Sequence, residues 1–297
     1  MSFANLKRQS GTNLDKLSAA IQALNTPSEG ASDRENYWRP AVDKAGNGMA
    51  TIRFLPVSEK DGDSAVPWVK IFSHGFQGPG GWLIDNCLTT KNKPCPVCEH
   101  NSTLWNSGIE ANKDIVRKQK RKLNYIANVL IVSDPKNPEN EGQIKLFKFG
   151  KKIFDKITEA MNPQFEDEVA VNPFDMWKGA NFKLKIRKVE GYQNYDRSEF
   201  ESSTVLSNDD AELELIWKKE FELGALVADS EFKEFDVLKL RLDKVLGLNG
   251  EAPRTTVEHT KVDTFNAKSS PKAAPKEPEI DEDEDEFTRF SKLADED

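Results

Sequence analysis

The chain has 297 residues, of which 37% are hydrophobic and 31% charged, and it carries a net charge of −8. That length suits one large domain or two small ones. No run of about 18 apolar residues is present, which excludes a hydrophobic membrane span. The start, "MSFANLKRQS", lacks an apolar signal region. With three cysteines that cannot pair evenly, this predicts a protein of a reducing cytoplasm. The charge is unevenly spread. Residues 277–297 hold eleven acidic and two basic residues, leaving the other 276 at +1. The pI therefore says little about the partners of the body.

In chain order, residues 1–30 read as a separate arm. "NLDKLSAAIQAL" places Leu14, Leu17, Ile21 and Leu24 on one helical face. Two readings stay open for it: a fraying terminal helix, or an arm that docks on a partner or a neighbouring copy. "NTPSEGASDREN" reads as a linker. A core over 31–250 follows. "MATIRFLPV", "NYIANVLIV", "QIKLFKFG" and "NFKLKIRKV" alternate as strands do. "KKIFDKITEAM", "AELELIWKKEFELGAL" and "FKEFDVLKLRLDKVLG" have helical spacing. Short strands interrupted by helices predict an α+β fold, a β-barrel or sandwich core decorated by helices. From about Glu251 the composition turns to Pro, Lys and Ala and then to acid, which predicts a disordered linker and tail over 251–297. Within that tail Phe287, Phe290 and Leu293 are spaced to form one apolar face on a docking partner, and the acids are expected to compete with nucleic-acid phosphates.

All three cysteines lie in one window. Cys95 and Cys98 form a C-x-x-C pair, the spacing with which two thiolates approach one tetrahedral Zn²⁺. Cys87 adds a third sulfur, and His74 or His100 a nitrogen. Gly75, Gly78, Gly80 and Gly81 are expected to bend the chain around the ion, in a subdomain of about 70–105. Two catalytic readings compete. The zinc deaminase signature requires H-x-E, and Phe76 stands where its Glu belongs. A redox C-x-x-C belongs in a βαβ unit, which the pattern lacks. A closed, structural zinc clip remains.

Basic clusters flanked by aromatics recur three times. Lys113, Arg117, Lys118, Lys120, Arg121 and Lys122 precede Tyr125; Lys145, Lys148, Lys151 and Lys152 surround Phe147 and Phe149. In the third, Phe182, Leu184 and Ile186 share one strand face, while Lys183, Lys185 and Arg187 make a positive ridge on the other, with Tyr192 and Tyr195 close behind. Cations for phosphates beside aromatic faces for unstacked bases are what single-stranded nucleic acid requires. Walker, nucleophile-elbow and RNP1 motifs are all missing from the sequence.

From about residue 43 to 200 the chain resembles the single-stranded DNA-binding (helix-destabilising) proteins of T-even-type bacteriophages, the gene 32 protein family. The likeness is carried by "AGNGMATIRFLP", the spacing of His74, Cys87, Cys95 and Cys98, "DPKNPENEG", "FGKKIFDKI" and "EGYQNYDRSEF". It implies an OB-fold core with a zinc subdomain, an arm for cooperative binding between neighbouring copies, and an acidic tail. Through that tail it implies recruitment of replication and recombination proteins of helicase-loader, polymerase, primase or recombinase-mediator type in the infected bacterial cytoplasm. It implies one structural Zn²⁺ on His74, Cys87, Cys95 and Cys98, so that His74 is chosen over His100. Arg53, Lys120, Arg121, Lys122, Tyr125, Phe147, Tyr192 and Tyr195 become groove residues, with Trp105 a further stacker. Lys7, Arg8 and Ser10 match the basic arm motif in thinner form. Ile126 stands where the family pattern has Trp, which reads as one stacking surface fewer. The expected function is non-enzymatic, sequence-nonspecific coating of single-stranded DNA in replication, recombination and repair. The alternatives are a deaminase-type zinc enzyme and a docking adaptor that does not bind DNA.

Overall fold

The computed structural model describes residues 35–62, 65–165, 167–189 and 191–248. The expectations for the arm and the tail, including Lys7, Arg8, Ser10, Phe287, Phe290 and Leu293, lie outside the described residues. Among the described residues no helix is long and apolar enough to cross a membrane.

Nine strands of the described residues form one mixed sheet: β1 (Tyr37–Trp38), β2 (Gly48–Phe54), β3 (Val69–Gly78), β4 (Gly81–Asn86), β5 (Lys122–Ser133), β6 (Ile144–Phe149), β7 (Phe182–Val189), β8 (Tyr192–Asn194) and β9 (Glu199–Phe200). The main path is β1-β6-β5-β2-β7-β8, and the pairing of β1 with β6 is parallel. The long strand β5 organises it. One edge pairs with β6 from Tyr125 to Leu130. The other edge changes partner midway, from β3 opposite Lys122 to Ile126 to β2 opposite Val129 to Ser133. The β3–β4 hairpin thereby leaves the main sheet and founds a second structural unit.

Among the described residues five α-helices complete the α+β fold: α1 (Pro96–Asn106), α2 (Glu110–Gln119), α3 (Lys151–Met161), α4 (Asp210–Lys218) and α5 (Phe235–Leu246). α1 starts with Pro96 in the first turn, where a missing N–H costs nothing. α4 is shorter than the helical spacing of its segment predicts. It stops at Lys218 because the next residues are anchored elsewhere: Phe221 exchanges two hydrogen bonds with the Asn128 amide, at 2.9 and 3.0 Å.

The sheet does not close into the expected barrel. Among the described residues no strand pairing joins β1 or β6 to β7, β8 or β9. The sheet curls instead around aromatic side chains. The Phe54 ring lies between 5.6 and 6.5 Å from those of Phe147, Phe149, Phe182 and Phe200, which come from both halves of the sheet, and of Phe174 in the loop before β7. α3 packs Ile153 and Ile157, one turn apart, onto this core.

A second core lies under the β3–β4 hairpin. Phe76 and Leu83 meet Leu88, Val97, Phe232, Leu238, Leu242 and Val245 there. The subdomain expected at about 70–105 therefore includes α5, from the far end of the described chain. The glycines also have a different reason from the expected one. A Cβ at Gly78 or Gly80 would run into the carbonyl oxygens of Val245 and Lys244, and Gly80 N–H donates to Val245 O at 2.9 Å. These glycines let the hairpin meet the C-terminal end of α5; they do not wrap the cluster of cysteines. Asp85 fixes the same contact through Lys233 and Arg241 at 2.5 and 2.9 Å.

Candidate metal centre and nucleic-acid face

His74 on β3, Cys87 at the start of a 3₁₀ turn (Leu88–Lys91), and Cys95 and Cys98 at the start of α1 converge. Their ligand atoms all lie within 4.8 Å of one another, and three of the four residues are buried. His74 Nε2 is 3.6 Å from both the Cys95 and Cys98 sulfurs, and the Cys87 and Cys98 sulfurs are 3.5 Å apart. On the other side of the ring, Nδ1 is 3.1 Å from Gln119 O. Donation to that carbonyl leaves Nε2 as the metal-facing atom. His100, the competing candidate, is not in the cluster.

The donor set fits zinc. Three sulfurs and one nitrogen this close together are the donor set that a structural, four-coordinate Zn²⁺ would take. Burial opposes a charge on His74, but the Cys87 and Cys95 side chains outweigh it and raise the pKa to about 9. Hydrogen bonds from the Cys87 and Cys98 thiols lower that of Cys95, while the sulfurs of Cys87 and Cys95 raise that of Cys98. The sulfurs share protons that an ion would displace. Phe76, in the position of the deaminase Glu, is buried in the adjoining apolar core.

The sequence-derived groove residues divide. Arg53 is fully buried. β2 is central and covered on both faces, by the aromatic core and by Leu55, Met176 and Leu213 behind it. The guanidinium donates to the carbonyls of Asp175 and Thr204 at 2.8 and 2.9 Å, and so pins two loops. This corrects its assignment as a groove residue. Phe147 is likewise core, 5.5 Å from the Trp38 ring. Tyr125 is buried too, stacked on Phe154 at 3.9 Å. Ile126 points to the opposite face, packed with Ile71, Leu146 and Leu223, so it replaces core volume and not a stacking surface.

The alternation of β7 is as expected, with Phe182, Leu184 and Ile186 buried. Its ridge is not a bare positive one. Lys183 pairs with Glu201 at 2.8 Å, Lys185 with Glu199 at 2.6 Å, and Arg187 makes two hydrogen bonds to Asp196 at 2.6 and 2.9 Å. Trp105 sits at the far end of α1, under Lys113 and Arg117 at 5.8 and 6.0 Å. Tyr192 is 53% exposed, and Tyr195 packs partly against the aromatic core. Lys156 of α3 donates to Asp196 O at 3.1 Å, which holds the turn after β8 beside that helix.

Lys120, Arg121 and Lys122 are half-buried at the junction of α2 and β5. β3 runs alongside, pairing Ser73 with Lys122 and Phe72 with Leu123. On this strand lies a residue that the sequence reading missed. The half-buried Phe72 ring has Arg121 over it at 4.6 Å and Lys70 at 5.1 Å. Trp68 and Phe154 were missed as well; their rings lie edge-on at 5.5 Å, both only partly buried. The alternation in "VKIFS", with Lys70 and Phe72 on one parity, was the available signal.

A family described as "gp32 DNA binding protein like" matches residues 46–246. The chain is 35% identical over 267 residues to the "Single-stranded DNA-binding protein" of Enterobacteria phage T4, covering 84% of this chain and 86% of that one. It is 36% identical over 252 residues to the protein of the same name from Enterobacteria phage T2, covering 80% of each. A third, from Escherichia phage SV14, shares 39% identity over 74 residues, 24% of this chain and 63% of that one.

Proposed function

We propose, from the premise that this chain belongs to the gp32 DNA binding protein like family, that it binds single-stranded DNA without sequence preference, as a coat and not a catalyst. The observation that carries the reading is Phe72, a half-buried ring flanked by Arg121 and Lys70 beside the basic tripeptide. A flat aromatic face receives any base, and flanking cations receive the phosphates on either side. Tyr192, Tyr195, Lys120 and Lys122 extend this face. Lys183, Lys185 and Arg187 join it only if their acidic partners yield. The core is read as a curled OB-type sheet, with one Zn²⁺ held by His74, Cys87, Cys95 and Cys98. When bound, the ion supplies structural cross-linking.

Three finer elements of the reading rest on the sequence. The arm with Lys7, Arg8 and Ser10 links neighbouring copies. The acidic tail, with Phe287, Phe290 and Leu293, recruits replication and recombination proteins. The place of action is the cytoplasm of an infected bacterium. Titration of oligo(dT) into the full chain at two salt concentrations, followed by intrinsic fluorescence, tests the central claim. Binding that weakens steeply with salt is expected. An absence of binding at low salt refutes it.

A further inference from the structure

Two hydrogen-bonded paths leave the Cys/His cluster, and both reach the same basic tripeptide. The first is His74 Nδ1 to Gln119 O, the carbonyl immediately before Lys120, which also accepts from Asn101 Nδ2 at 3.1 Å. The second runs from Cys87 Sγ to Thr89 Oγ1 at 3.1 Å, and from Thr89 Oγ1 to Arg121 Nη1 at 3.0 Å. The chemistry of the second path fixes its proton. A guanidinium only donates, so Thr89 accepts from Arg121, and its single hydroxyl proton is left for the sulfur. A metal-bound cysteine is a thiolate and only accepts. Each group thus has the role its neighbour requires. The Arg121 that this path holds is the one lying over Phe72. Phe72 is itself tied to the same turn: its N–H donates to Thr90 Oγ1 at 2.9 Å, and its carbonyl accepts from Cys87 N at 2.8 Å.

We propose that Thr89 is a positioning residue for nucleic-acid binding: its hydroxyl couples the Cys87 thiolate to Arg121 and fixes the guanidinium beside the Phe72 ring, so that metal shell and binding face form one unit. The proposal rests on the single-strand reading above and deepens it. A Lys at 121 would not substitute, because a flexible ammonium lacks the planar fork that reaches Thr89 while lying over a ring. Outer-shell groups of this kind orient metal ligands elsewhere; here the orientation runs outward as well, from the ligand to the phosphate-binding cation.

The test uses the full chain with zinc bound. Thr89→Val keeps the shape and removes the hydroxyl, and Thr89→Ser restores it. Thr89→Val is expected to retain one zinc per chain and to bind oligo(dT) about tenfold more weakly at low salt, the worth of a charge-assisted hydrogen bond. Its salt slope should fall by about 0.7, one phosphate contact on a single strand. Thr89→Ser should bind as wild type does, and Thr89→Val should add nothing to Arg121→Gln. Wild-type affinity and slope in Thr89→Val overturn the proposal, as does additivity with Arg121→Gln. Should Thr89→Val fail to fold, Arg121→Gln substituted with Co²⁺ decides. A shift in its thiolate-to-metal charge-transfer band supports the coupling, and an unshifted band overturns it. A wild-type protein that ignores oligo(dT) refutes the single-strand reading, a result distinct from an unaffected Thr89→Val.

Discussion

The two cores of this molecule hold themselves together in different ways. The sheet core is a nest of aromatic rings around Phe54, contributed by strands whose alternation shows in the sequence. The core under the β3–β4 hairpin is smaller, with four residues that could hold a metal ion at one end and α5 at the other. The first has enough apolar surface to fold by burial. The second joins residues 69 to 106, which carry the whole Cys/His cluster, to residues 232 to 246, which reach it only through the packing of α5 and Phe232. Stability in this chain therefore has two origins, and conditions that attack one should spare the other.

Removing the metal is the strongest way to break that comparison. Structural zinc contributes about 10–16 kcal/mol apparent in isolated fingers. Chelation, or Cys95→Ser, should therefore melt the hairpin unit in a separate low-temperature transition while the aromatic core persists. Calorimetry with and without chelator checks this, and one merged transition that drops as a whole would join the cores. Phe54→Ala is the reciprocal attack. It should cost about 3–5 kcal/mol, the range for a buried aromatic, and lower the sheet transition without releasing zinc.

pH sharpens the same contrast. Glu220, behind the sheet, is fully buried and neither carboxylate oxygen has a hydrogen-bond partner. Burial, and then the charge of Asp61, raise its pKa to about 8. The folded state thus holds a proton that the unfolded chain loses near its ordinary value. The sheet unit should lose stability as pH rises from about 4.5 to about 8, and Glu220→Gln should flatten that slope. The loss should be a few kcal/mol across that range, with a ceiling of about 1.4 kcal/mol for each pH unit crossed. The zinc unit should run the opposite way, gaining stability with pH as its ligands give up protons. Melting temperatures at pH 5 and pH 8 in both proteins separate the two.

The proposed nucleic-acid face touches both units, and its variants should disturb neither melting transition. Tyr192→Ala should weaken oligo(dT) binding by about 1–3 kcal/mol if a base stacks there, with the salt slope unchanged. The smallest effect is expected from Glu199→Gln with Glu201→Gln. Releasing Lys183 and Lys185 should steepen the salt slope by about 0.7 for each cation that gains a phosphate. An unchanged slope would leave β7 outside the interface.

The same division governs what could be read in advance. β2, β5, β6 and β7 were legible because burial on one face writes a two-residue period, and the cluster because its cysteines crowd one window. β3 and β4 were obscured by their glycines, which resemble a loop in sequence but answer to a helix some 160 residues later. α1 and α2 were masked by the cysteine and lysine motifs they carry. Arg53 misled because a cation on an alternating strand reads as surface, whereas β2 is covered on both faces. Phe147 and Tyr125 misled because aromatics beside lysines are consistent with stacking or with core, and only the tertiary partners Trp38 and Phe154 decide. Phe72 and Thr89 gain their importance from contacts across the fold, which no local pattern records.

The position of α5 has a consequence in time. A ribosome delivers the four metal ligands by Cys98, but Phe235, where α5 begins, emerges 137 residues later. At about 5–20 residues per second this interval is on the order of ten seconds. Throughout it, the hairpin has Phe76, Leu83 and Val97 without the helix that covers them. The nascent chain therefore passes through a stage in which the hairpin that carries the Cys/His cluster is also its stickiest part, and the glycines at 78 and 80 are the berth left open for the last helix to arrive.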